Sequence, residues 1–101
     1  PHSLSKKNKT YLKNGMVLSN EPGYYREGSF GIRIENLVYI KKNKFKELTM
    51  APIDKDLIDK KILNSSEILW LNNYHKLVKK CLNKFMNKSE KIQLAKACSP
   101  I

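Results

Sequence analysis

The chain has 101 residues, 20 Lys+Arg against 9 Asp+Glu, and a formal net charge of +11. This allows one modest core that buries about 60–65% of the extended chain's surface, and excludes collagen-like, disulfide-dense and low-complexity classes. No apolar run reaches the roughly 18–20 residues of a membrane-spanning helix, and no charged-then-apolar leader pattern stands at the start. In chain order, residues 1–14 are polar and without period, which predicts a loop. Met16-Val17-Leu18-Ser19-Asn20-Glu21 predicts a short strand buried on both faces, and Pro22-Gly23 ends it. Tyr24-Tyr25-Arg26 extends it a little before a turn at Glu27-Gly28-Ser29. Gly31–Ile40 (GIRIENLVYI) is the clearest strand, with Ile32 and Ile34 on one face and Arg33 and Glu35 on the other. A lysine turn at Lys41-Lys42-Asn43-Lys44 leads to a further strand over Phe45–Met50. Ala51-Pro52 breaks that strand, and the stretch to residue 63 is transitional. Residues 64–98 predict helix, with Asn64 and Glu67 as a capping pair. Its apolar stripe is Ile68, Leu71, Tyr74, Leu77, Val78, Cys81, Leu82 and Phe85, with Trp70 beside it. Asn87-Lys88-Ser89 interrupts the helix, and Ile92, Leu94 and Ala95 mark a shorter one beyond. The chain thus divides into a β-rich part, 1–63, and a helical part, 64–101.

The charge is spread evenly: residues 1–50 hold 10 basic and 4 acidic groups, residues 51–101 hold 10 and 5. Only Arg26 and Arg33 are arginines, and ten residues are asparagine, a Lys/Asn-rich composition typical of AT-rich coding. No helix-turn-helix, zinc-finger or RNP-like pattern accompanies the charge, so specific nucleic-acid binding is not expected. Cys81 in the helical stripe and Cys98 near the end read as free thiols of a reducing compartment, which points to the cytoplasm. Neither has a histidine placed beside it by the pattern, so a catalytic cysteine is not expected. The sequence opens on Pro1 rather than Met, as a processed chain, a trimmed chain or a piece of a longer one does.

Two carboxylates stand where carboxylates are costly. Glu21 closes a buried strand, and Glu35 lies within an apolar one. Such groups need a cationic partner. Arg33 shares a face with Glu35, so a structural ion pair is one reading. A hard-metal site is the other, since carboxylate oxygens suit Mn²⁺ or Mg²⁺. Two carboxylates are too few for a metal pair unless other ligands join them.

Asn-Glu-Pro-Gly-Tyr-Tyr (20–25) followed by Gly-Ile-Arg-Ile-Glu-Asn (31–36) strongly resembles the aminopeptidase P branch of the pita-bread metallopeptidases. Gly15-Met16-Val17-Leu18, Leu48–Asp54, Trp70–His75 and Ser99-Pro100-Ile101 extend the resemblance over nearly the whole chain. It implies an α+β fold, the C-terminal portion of a pita-bread (creatinase/aminopeptidase-like) domain, with antiparallel strands followed by a long C-terminal helix. It also implies a peptidase that releases the first residue of peptides with proline second. Two divalent ions, usually Mn²⁺, would share an attacking water, held by two Asp, one His and two Glu. By resemblance Glu21 is a ligand to one ion and Glu35 bridges both. Arg33 would orient a site carboxylate, with Tyr25 hydrogen-bonded nearby, and no residue here is assigned directly to catalysis.

The remaining ligands lie upstream of Glu21 in the family, whereas this chain has no Asp before Asp54 and only His2 as an upstream histidine. Pro1 looks like the last residue of the family's His-Glu-Gly-Pro segment. His2 and His75 read as non-catalytic. The resemblance therefore implies a portion inactive without its upstream part, with that part, a peptide substrate and a homodimer among its partners, and with no membrane. The alternatives are a non-catalytic binding module of the same fold, which retention of both glutamates argues against, and a basic polyanion binder.

Overall fold

The computed structural model describes His2, Ser3 and residues 9–101. Pro1, the side chain of His2 and most of the predicted N-terminal loop lie outside the described residues. The chain forms two compact units, residues 1–49 and 50–101.

The first unit is built of strands. β1 (His2–Ser3), β2 (Val17–Asn20), β5 (Asn36–Lys41) and β6 (Lys44–Glu47) form one sheet in the order β1-β2-β5-β6. β3 (Gly23–Arg26) and β4 (Phe30–Arg33) form a two-stranded ribbon. β1 pairs parallel with β2; all other pairs are antiparallel. That β1 exists corrects the expectation of loop throughout 1–14: the outer backbone groups of β2 need partners, and His2–Ser3 supplies them.

The core of this unit is small. Leu18, Val38 and Ile40 are at most 5% exposed, and Met16 packs against them. Alternation explains the set, since Leu18 lies opposite Val38, and Ile40 follows Val38 by two residues on the same face. β2 is not buried on both faces throughout: Val17 is exposed, although Leu18 and Ser19 are buried. β6 ends at Glu47 rather than Met50 because, past the Val38–Glu47 pair, the Leu37 carbonyl accepts from both the Leu48 and Thr49 N–H groups and the Leu37 N–H donates to the Thr49 hydroxyl instead of a backbone carbonyl. The lysine turn is a two-residue hairpin loop with positive φ at Lys42 (50°) and Asn43 (57°), the conformation that matches strand twist. Asn14 secures it, its Oδ1 accepting from the Asn43 N–H at 3.1 Å.

The second unit holds helices α1 (Ser65–Leu82) and α2 (Lys88–Ala97). The Asn64 side chain accepts from the Glu67 N–H at 3.0 Å, and Glu67 accepts from the Asn64 N–H at 2.9 Å. The expected interruption at Asn87–Ser89 is a second start of the same design, with Asn87 and Glu90 in the two roles. Tyr74, Val78, Leu94 and Cys98 form the core, joined by Met50, Ile53, Leu82 and Met86. Trp70 stacks on Tyr74 with ring centroids 5.6 Å apart, one helical turn away. Phe85 departs from the predicted stripe and is 76% exposed. The α-helix stops at Leu82, and Phe85 falls in a short 3₁₀ turn over Asn83–Phe85, which shifts its direction off the stripe.

Candidate metal centre

The site lies where the strands pass from the sheet to the ribbon. β2 pairs with β5 up to Asn20 opposite Asn36, and β3 pairs with β4 from Gly23 opposite Arg33. The two registers are the same. Carried across the gap, they set Glu21 opposite Glu35 and Pro22 opposite Ile34. The predicted strand over Gly31–Ile40 is therefore two strands, β4 and β5, interrupted at Ile34-Glu35. Pro22 supplies the reason. Its carbonyl accepts from the Ile34 N–H at 3.2 Å, but it has no N–H to return, so the ladder breaks there.

Alternation then aims the side chains. Opposed residues share a face, as do residues two apart. Glu21, Glu35 and Arg33 thus fall on one side. The Arg33 guanidinium bridges the pair, with Nη1 3.9 Å from Glu21 Oε2 and Nη2 3.8 Å from Glu35 Oε2. Like charges directly opposed on a sheet repel, and this cation offsets the repulsion. The carboxylates are not buried, which corrects the sequence reading: their side chains are 35% and 47% exposed, and that of Arg33 is 51% exposed. All eight residues of β3 and β4 are exposed, because among the described residues no layer stacks on the two-stranded ribbon. At this exposure and distance each ion pair contributes at most about 1 kcal/mol.

Tyr25 packs rather than bonds. A Cβ placed at Gly23 would stand 2.6 Å from its hydroxyl, and one at Gly31 would stand 2.7 Å from its ring. The ring lies over both glycines, Gly31 being its direct cross-strand partner. Among the described residues no hydrogen bond joins the Tyr25 hydroxyl to Glu21, Glu35 or Arg33. Sequence reasoning had no sign of this packing beyond the two glycines within the ribbon.

Asn36, next to Glu35, is a further polar neighbour that sequence reasoning passed over. Its Nδ2 donates to Glu47 Oε2 at 3.3 Å, which ties the chain after Glu35 to β6. The cross-strand neighbourhood of β5 and β6 was the available signal.

The donor set fits a hard divalent cation in kind, since two carboxylates share one face. It does not complete a site. Among the described residues no group of three or more His, Cys, Asp or Glu stands ready to hold a metal. The thiols do not contribute: Cys81 and Cys98 are free, and burial pushes the Cys98 thiol up, keeping it protonated. His75 belongs to the helical unit, fully buried.

Residues 1–42 match metallopeptidase family M24, and residues 41–101 match the C-terminal region of peptidase M24. A probable Xaa-Pro aminopeptidase P of Laccaria bicolor is 43% identical over 74% of this chain and 14% of its own length. Aminopeptidase P2 of Arabidopsis thaliana is 42% identical over 74% of this chain and 12% of its own. The crystal structure of X-prolyl aminopeptidase from Caenorhabditis elegans, described as a cytosolic enzyme with a di-nuclear active site, superposes with a TM-score of 0.77. It is 36% identical to this chain, covering 96% of it and 18% of the worm protein. The chain thus spans less than a fifth of the length of these relatives. The likeness bears out the expected C-terminal portion of a pita-bread domain, antiparallel strands first and helices after. With both signatures matched from end to end, the chain belongs to metallopeptidase family M24.

Proposed function

We propose that this chain is the C-terminal portion of an Xaa-Pro aminopeptidase and supplies Glu21 and Glu35 to its dinuclear metal centre. The observation that supports this is the opposition of the two carboxylates across one register, on one face, with Arg33 between them. Opposed carboxylates are a liability for a plain strand pair. They are an asset where divalent cations must be bridged.

In this reading Glu21 and Glu35 would be ligands to the two ions, with Mn²⁺ the expected metal. Bound ions of this kind lower the pKa of a shared water and polarise the scissile carbonyl. The chain's own residues do three things. The two glutamates fix the charge and spacing of the donor set. Arg33 holds both carboxylates toward one face. The Tyr25 ring, seated on Gly23 and Gly31, stiffens the ribbon that carries Arg33. The β-rich part (1–63) and the helical part (64–101) belong to one catalytic domain. The substrate is a peptide with proline second, and the place of action is the cytoplasm, as for the cytosolic worm relative.

Two carboxylates of a larger ligand set leave residues 1–101 inactive by themselves. Combined with an upstream fragment of a family member, the chain should restore Mn²⁺-dependent cleavage of an Xaa-Pro peptide. In that complex Glu21→Ala or Glu35→Ala should abolish turnover and lower bound metal measured by elemental analysis. Full turnover and full metal content in either variant would overturn the assignment.

A further inference from the structure

The second unit pins an extended segment, residues 50–55, against its helices at alternate residues. The Tyr74 hydroxyl donates to the Ala51 carbonyl at 2.9 Å. The Ile53 N–H donates to His75 Nε2 at 3.1 Å. Lys55 Nζ donates to the Ser99 carbonyl at 2.8 Å and to the Lys96 carbonyl at 3.1 Å. Of the three pins only the middle one depends on a group that titrates near neutrality. His75 is 0% exposed. Its Nδ1 is buried and, among the described residues, has no hydrogen-bond partner. We propose that His75 is an acid-sensitive latch: neutral, it holds the segment at Ile53; protonated, it lets the segment go.

The chemistry is a single proton transfer from solvent. A ring that accepts at Nε2 carries its proton on Nδ1. A second proton can bind only at Nε2, where it takes up the lone pair that receives the Ile53 N–H. The resulting imidazolium would set two donors face to face at a fully buried ring. Its surroundings offer no compensation. From the segment comes the Lys55 ammonium; Asp54 is turned away, its Oδ1 accepting from the Asp56 N–H at 3.0 Å. On α1 the neighbours are the Tyr74 ring, at 6.0 Å between centroids, and Lys79 one turn on. At the end of α2 the Cys98 thiol, its pKa raised by burial, packs with Tyr74 and Val78 on either side of the ring in sequence. Among the described residues no carboxylate pairs with the ring. Burial first, and the Lys55 charge second, hold the His75 pKa below its ordinary value of 6.5. The sign follows. A base whose native pKa is depressed contributes stability that is whole above about pH 6.5 and is lost as pH falls toward the native value.

The full chain can be followed by NMR from pH 7 to pH 4.5, with urea unfolding at pH 7 and pH 5. The His75 midpoint should lie below 6.5, the ordinary value, and the Ile53 amide should lose its exchange protection through that midpoint. The unfolding constant should rise between pH 7 and pH 5, in step with that midpoint. His75→Gln keeps an acceptor oxygen without a titration and should be flat over this range, while His2→Gln should behave as the parent does. Ordinary titration of His75 with Ile53 protection unchanged would overturn the latch, as would the same acid loss in His75→Gln. If the glutamine variant does not fold, the parent's titration decides: an Ile53 amide unprotected at pH 7 is also a negative result.

Discussion

With Arg33 replaced by Ala, Glu21 and Glu35 face each other with no cation between them in the metal-free protein. The expected cost in fold is small, because the three side chains are half-exposed. The cost in function is larger, since groups that orient metal ligands are worth about 10–100-fold in metal affinity. Arg33→Ala in the reconstituted enzyme should therefore weaken Mn²⁺ binding by about that factor, read by direct metal titration. Arg33→Lys should recover only part, because an ammonium cannot reach two carboxylates as a planar fork does. The convergence of these residues was legible in the sequence, because alternation puts residues 33 and 35 on one face. Their exposure was not. An apolar run reads as buried, and only the structure shows that Ile32 and Ile34 are 45% and 44% exposed. Tyr74 makes a second test at this scale. Tyr74→Phe removes the donor to Ala51 and should destabilise the chain by about 0.5–1.5 kcal/mol, read as a lower urea midpoint.

At the scale of elements, the helices were the most legible part. Asn followed three residues later by Glu satisfies backbone donors that a helix start leaves open, and both instances form. Asn64→Ala and Asn87→Ala should each cost about 1 kcal/mol, seen as loss of helical circular dichroism at lower urea. Removing packing should cost more: Leu94, 5% exposed, when cut to Ala should lose about 2–5 kcal/mol. The strands were harder to bound. GIRIENLVYI keeps an apolar rhythm through the break, because the cause of the break sits on the opposite strand, at Pro22. Reading along one segment does not show what its partner lacks. Phe85 was missed for a related reason. A 3.6-residue period extrapolates through Leu82, while the backbone there tightens into a 3₁₀ turn.

For the molecule as a whole, charge sets the behaviour. Eighteen lysines and two arginines face nine acids, and both ion pairs seen among the described residues use Arg33. Self-repulsion of this kind opposes a compact state, and salt screens it, the Debye length falling from about 30 Å at 0.01 M to about 8 Å at 0.15 M. The melting temperature should therefore rise between these two salt concentrations, as followed by circular dichroism. A fall would mean that attractive pairs dominate. Composition foretold this excess of charge but only one modest core; the structure holds two small ones, divided at Thr49 and Met50, where no Gly- or Ser-rich linker marks the boundary. Each unit closes its own apolar cluster, Leu18 with Val38 and Ile40 in one, Tyr74 with Val78 and Leu94 in the other.

The shared register of the two strand pairs has a consequence for how relatives should be aligned. Glu21 and Glu35 stand fourteen residues apart here, but what brings them together is opposition, not count. The ribbon between them is a hairpin, and its tip at Glu27-Gly28-Ser29 is free of the pairing that sets the register. Residues gained or lost at that tip alter the count and leave the carboxylates face to face. One residue gained between Glu21 and Tyr25 leaves the tip unchanged and turns the following side chains to the other side. Insertions should thus accumulate at the tip of the hairpin and be purged from its stem.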